Sequence, residues 1–127
     1  MNGRIITGTV ISGLGEGAFF MSMQYYKSEI KKKLGFNAYL GTLNLKINQE
    51  EIKSIKNMKH IRVEGYKSGS KSFGGISCYK AKIKNINGAI IIPDLTKHKD
   101  VIEFIAPSHL RSKLNLNDND KIKVELL

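Results

Sequence analysis

Short runs in which apolar and polar residues alternate dominate this chain. "RIITGTVISG", "GTLNLKI", "KHIRVEGY", "GISCYKAKIK", "GAIIIP", "VIEFIA" and "KIKVELL" are rich in β-branched and aromatic residues and bounded by Gly, Asn, Asp or Pro. Each reads as a strand. "AFFMSM" reads the same way, so it and "RIITGTVISG" are expected to flank the glycine loop as two arms of a hairpin. In "GTLNLKI" the alternation sends Leu43, Leu45 and Ile47 to the core and Thr42, Asn44 and Lys46 to the opposite face. Many short strands at this spacing predict a mainly β fold, a small barrel whose closure removes exposed edges.

Helical spacing is confined to a few stretches. Residues 26–34 place Tyr26, Ile30 and Leu34 on one face, with Lys27, Lys31 and Lys32 toward water and Gly35 as a stop. Pro107 to Leu114 opens with Pro and Ser and pairs Leu110 with Leu114. A weaker turn begins at Asn48, with Glu51 placed for a capping box. The Ser- and Gly-rich, basic stretch 65–75 predicts a mobile hairpin tip.

Composition narrows the class. At 127 residues the chain is expected to be a single domain, residues 1–127, with a real core and 41% hydrophobic content. No apolar run approaches the roughly 18–20 residues of a membrane helix, and no signal peptide is recognisable. A single cysteine, Cys78, permits no internal disulfide and suits a cytoplasmic protein. The net charge of +10 is spread along the chain. It reads either as a solvated surface or as a field for an anionic ligand, nucleic acid or lipid.

Three stretches carry candidate chemistry. Gly13, Gly15 and Gly17 in "SGLGEGAFF" free the backbone and let N–H groups approach a phosphate, unless the loop is a plain tight turn. The dinucleotide fingerprint must open a helix, which "AFFMSM" does not suggest, and no P-loop Lys follows. Thr42 and Asn44 present neutral oxygens of the kind Mg²⁺ accepts beside phosphates, or else form the polar face of a half-exposed strand. Glu103 lies inside the apolar run Val101–Ala106; read alone it is foremost an edge-strand glutamate facing water, but if buried it wants a donor, and in a cleft it would accept hydrogen bonds from a hydroxylated ligand. The start of the 107–114 helix offers free N–H groups, with Arg111 as an anion clamp. His60, His98 and His109 lack metal-ligand spacing, and Cys78 has no activating neighbour. No nucleophilic triad or paired-carboxylate signature is readable.

Taken together and in order, "GLGEGAFF", "LGFNAYLGTLNLKI", "GAIIIPDLT" and "IEFIAPSHLRSKLNLNDNDKIKV" resemble the archaeal CTP-dependent riboflavin kinases, over nearly the whole chain. The resemblance implies a six-stranded cradle-loop (RIFT-type) β-barrel with two or three short helices. It implies transfer of the γ-phosphoryl group of CTP to the terminal ribityl hydroxyl of riboflavin, giving FMN and CDP with Mg²⁺. It assigns the nucleotide to Leu14, Gly15, Glu16, Gly17, Ala18 and Phe19 and to Ser108, His109, Leu110 and Arg111. Magnesium falls to Thr42 and Asn44, and the flavin to Thr96 and Glu103. Glu103 is also the candidate by chemistry for the hydroxyl proton. The partners expected are riboflavin, FMN, CTP and CDP, bound by a monomer without membrane or nucleic acid. The tail "LRSKLNLNDNDKIKVELL" also resembles looped-hairpin DNA-binding domains, which makes a basic transcriptional regulator the alternative.

Overall fold

The computed structural model describes residues 4–13 and 16–127. Its strands are β1 (Ile5–Ile11), β2 (Leu43–Lys46), β3 (Ile61–Val63), β4 (Tyr66–Ser68), β5 (Lys71–Phe73), β6 (Ile76–Ile83), β7 (Ile86–Pro93), β8 (Val101–Ile105) and β9 (Lys121–Leu126). Its helices are α1 (Glu16–Met21), α2 (Gln24–Leu34), α3 (Gln49–Lys56) and α4 (Leu110–Lys113). Six strands close a ring in the order β6–β7–β8–β2–β1–β9, and β9 returns to β6 through Ala81 opposite Leu126. All of these pairings are antiparallel. Strand β3 takes the other end of the same β6 edge, and β4–β5 form a separate hairpin. This is the six-stranded barrel that was expected. No helix among the described residues is long and apolar enough to cross a membrane.

Alternation builds two apolar layers from one sheet. On β8, Ile102 and Phe104 enter the barrel interior with Val10, Leu45, Ile90 and Val124. Their neighbour Ile105 faces outward with Ala89, Ile91 and Cys78, beneath Met21, Tyr26 and Ile30 of α1 and α2. Strand β7 is buried on both faces, which explains why "GAIIIP" reads as a continuous apolar run. Cys78 is a free, buried thiol that desolvation pushes up to about 12, and it packs as an apolar side chain of the outer layer.

Helix α2 follows the predicted face, with Tyr26 and Ile30 buried, and ends at Gly35, whose φ of 88° suits glycine. Asn48 caps α3 by accepting from the Glu50 N–H at 2.7 Å. Glu51 leaves the predicted capping box for Arg4, 2.7 Å away. The 107–114 helix shrinks to α4, because its N-cap His109 remains extended.

The largest correction is "AFFMSM", which forms α1 together with Glu16 and Gly17 rather than the second arm of a hairpin. Both edges of β1 are already taken, by β2 and by β9, so the segment after the glycine loop has no edge to join. It packs Met21 and Phe20 on the outer apolar layer instead. Aromatic residues scored as strand here because β-propensity measures packing context more than backbone preference. The premise used against a dinucleotide fingerprint, that no helix follows the loop, falls with it.

Candidate functional site

Cross-strand register lays the floor. Ile11, Asn44, Glu103, Ile91, Cys78 and Ile61 oppose one another in succession across β1, β2, β8, β7, β6 and β3, so all six share the outer face. Four are apolar. Asn44 and Glu103, each 4% exposed, are the buried polar side chains among the described residues. The half-exposed polar strand is therefore overturned: Lys46 reaches water, but Asn44 is covered. Gly13, just after β1, lies against it, since a Cβ there would be 3.3 Å from Asn44 Nδ2.

Glu103 has the donors its burial demands. Both carboxylate oxygens share the Gly17 N–H, at 2.9 and 2.8 Å, and Oε1 accepts from the Thr42 hydroxyl at 2.5 Å. Gly17 is required for this approach, because a Cβ there would strike Glu103 Oε1 and Thr42 Cγ2. Burial raises the Glu103 carboxyl above its ordinary value; the Thr42 and Gly17 hydrogen bonds pull it back, and the nearby Glu16 charge adds to the rise.

Among the described residues, Asn44 Oδ1 is buried without any hydrogen-bond partner. Such an orphan costs roughly 1–3 kcal/mol and calls for an explanation, of which a missing ligand is one. No group of three or more His, Cys, Asp or Glu suited to a metal exists among the described residues. A cation here would rely on neutral oxygens and on the ligand's own charge. Thr42 and Asn44 fit Mg²⁺ on that chemistry, which usually keeps waters and phosphate oxygens in its shell.

Two flanks border the floor. On one side Glu16 Oε1 accepts from the Thr96 hydroxyl at 2.6 Å, and the His98 N–H donates to Thr96 Oγ1 at 3.2 Å. On the other, Asp118 accepts from Ser12 at 2.7 Å and from Arg111 at 2.8 Å, and Arg111 also reaches the Ile11 carbonyl at 3.5 Å. His109 stacks on Tyr39 with centroids 5.2 Å apart, and lies beside Gly41. Beyond Glu16, a cavity of about 440 Å³ opens between α1, the β4–β5 hairpin and the end of β7, lined by Phe19, Phe20, Phe73, Pro93 and Leu95.

The residues nominated from sequence separate accordingly. Glu16, Gly17, Thr42, Asn44, Thr96 and Glu103 come together directly. Ala18 and Phe19 continue along α1, and Leu14 and Gly15 lie outside the described residues. Arg111 and His109 border the floor, Ser108 is half-buried beside them, and Leu110 is turned into the barrel interior. Sequence reasoning missed Ser12 and Asp118: Asp118 follows Arg111 by seven residues, but Ser12, which donates to it, is 106 residues away, so no local pattern joins the three. It also missed the apolar cavity, for which Leu95 in a loop was the available hint. The predicted mobile hairpin is pinned at its root, where Tyr26 donates to the Gly74 carbonyl at 2.7 Å and Arg62 grips Asp94 with two hydrogen bonds of 2.6 and 2.8 Å.

A family model named CTP-dep_RFKase, described as domain of unknown function DUF120, matches residues 10–126. Proteins named riboflavin kinase from Thermoplasma acidophilum and Pyrobaculum aerophilum are 41% and 43% identical over 128 and 126 residues, or 98% and 96% of this chain. Another, from Archaeoglobus fulgidus, is 39% identical over 96% of this chain. The chain spans 58%, 60% and 54% of the length of these three relatives, respectively.

Proposed function

The chain belongs to the CTP-dep_RFKase family, and from that premise we propose that it is a riboflavin kinase using CTP and Mg²⁺ to give FMN and CDP. The ribityl oxygen bonds to the γ-phosphorus of CTP as the bridge to the β-phosphate breaks and CDP leaves, while the hydroxyl proton passes to a base, for which Glu103 is the candidate by chemistry. Such transfer asks the protein mainly for positioning and charge stabilisation.

The buried, unpartnered Asn44 Oδ1 beside the Thr42–Glu103 pair is the observation that carries the reading. Thr42 and Asn44 would hold Mg²⁺, which when bound neutralises charge on the phosphates. Glu103 then orients the terminal ribityl hydroxyl at the same floor, with Thr96 along the approach. The nucleotide is assigned to the 14–19 segment and to 108–111, where Asp118 holds the Arg111 guanidinium in place before any ligand arrives. Leu110 contributes by anchoring α4.

The relatives' names favour this reading over the DNA-binding alternative. The test is incubation of the pure protein with riboflavin, Mg²⁺ and either CTP or ATP, with products separated by chromatography. FMN is expected with CTP and scarcely with ATP. FMN from ATP alone would overturn the donor, and none from either in folded protein would overturn the kinase.

A further inference from the structure

We propose that Glu16 is a positioning residue that couples the two substrate sites, so that nucleotide and riboflavin each raise the other's affinity through the Glu16–Thr96 hydrogen bond. This rests on the kinase reading above, which gives the 14–19 segment to the nucleotide and Thr96 with Glu103 to the flavin. Glu16 and Thr96 lie 80 residues apart in the chain, yet one carboxylate joins their segments. Its Oε1 accepts from the Thr96 hydroxyl at 2.6 Å, and its Oε2 accepts from the Lys97 N–H at 3.4 Å. Among the described residues no backbone hydrogen bond joins α1 to the loop after β7, so the tie is made by this side chain.

The tie also sets what Thr96 can offer. A threonine hydroxyl has one hydrogen and two lone pairs. The hydrogen goes to Glu16, and one lone pair takes the His98 N–H at 3.2 Å. One lone pair is left, so Thr96 faces a ligand as an acceptor and selects a hydroxyl that donates. A ribityl chain carries such hydroxyls. Without Glu16 the Thr96 hydrogen is free to rotate, and that selection is lost.

The next residue makes a second link. Gly17 gives its N–H to Glu103, so consecutive residues of one segment hold both polar groups assigned to the flavin. A six-residue helix has little stability of its own and takes its position from such contacts. A nucleotide that fixes residues 14–19 therefore fixes Thr96 and Glu103 as well. Riboflavin on Thr96 and Glu103 fixes α1 in return. The second ligand to arrive meets a site already arranged, and linkage requires the two effects to be equal.

The experiment is calorimetry of CDP binding in Mg²⁺, with and without saturating riboflavin, and of riboflavin binding with and without CDP. This pair does not turn over, because CDP has no γ-phosphoryl group. Wild type should bind each ligand about tenfold more tightly when the other is present. Glu16→Ala and Thr96→Val should each bring that factor to about twofold or less, whatever they do to either affinity alone, and combining them should lower it no further. Thr96→Val, close in shape to the native residue, carries the test if Glu16→Ala does not fold. Glu16→Gln, which keeps an acceptor for Thr96, should retain most of the factor. A merely structural role would weaken both ligands and leave the factor unchanged. Wild-type coupling in Glu16→Ala or Thr96→Val would overturn the proposal, as would a Glu16→Gln as uncoupled as Glu16→Ala. So would a wild type that forms FMN but shows no coupling. A wild type that forms no FMN and binds neither ligand would overturn the kinase reading as well.

Discussion

The barrel interior and the layer outside it are made from the same strands, yet they are finished to different standards. On β8, Ile102 and Phe104 meet an interior packed with apolar side chains. Glu103, between them in sequence, meets Gly17, Thr42 and the neighbouring Asn44 on the opposite face. The interior has no obligation beyond stability. The outer layer holds a buried carboxylate, an orphaned amide oxygen and an open apolar cavity. Closure of the ring supplies the rigidity that lets the outer layer keep these unsatisfied features.

Substitutions in the two layers should therefore fail differently. Phe104→Ala, in the interior, should cost about 3–5 kcal/mol in urea unfolding, the range for a buried aromatic truncated to Ala. Asn44→Ala should lower kcat/KM about a hundredfold, or about 2.7 kcal/mol of transition-state stabilisation. It should leave the fold as stable or more stable, since it relieves the roughly 1–3 kcal/mol cost of a buried oxygen with no partner among the described residues, set against the packing lost with the side chain. A Mg²⁺ titration and a melting curve on the same preparation check both halves. Large destabilisation with unchanged turnover would erase the distinction between the layers. Gly17→Ala comes next: its methyl displaces Glu103 from Thr42, and turnover should fall about tenfold. Faster amide exchange in α1 should accompany the loss.

The smallest effect belongs to the clamp at the hairpin root. Hydrogen bonds from Arg62 hold the Asp94 carboxyl below its ordinary value of 3.8; burial opposes this, and the Arg62 charge and the Gly75 N–H add to it. A depressed folded value means that the contribution is present above the unfolded value and is lost as pH falls through the folded one. Wild type should thus lose a little stability below pH 3.8 that Asp94→Asn does not lose. The side chain is 40% exposed, so the difference should stay under about 1 kcal/mol in melting curves taken from about pH 5 to 3.

What could be read in advance was local. Alternation in "GTLNLKI" and "VIEFIA" located β2 and β8, and helical spacing with a glycine stop located α2. An acid inside an apolar run marked Glu103 as a candidate, but the water-facing edge-strand glutamate that its local pattern favoured is overturned by its burial. The failures had one origin, for "AFFMSM" looks like a strand until one knows that β1 has no free edge. Likewise Arg111 looks like a free clamp until Asp118 is folded against it.

The sequence by itself determined most of the strands, helix α2 and the identity of the polar residues, because these follow from side-chain period and turn chemistry within a few residues. Only the tertiary structure decided that Asn44 lies beside Gly13, that Gly17 hands its N–H to Glu103, and that Phe73 and Leu95 line one cavity. Those relations join residues tens of positions apart. They depend on strand register and ring closure, which no local pattern encodes.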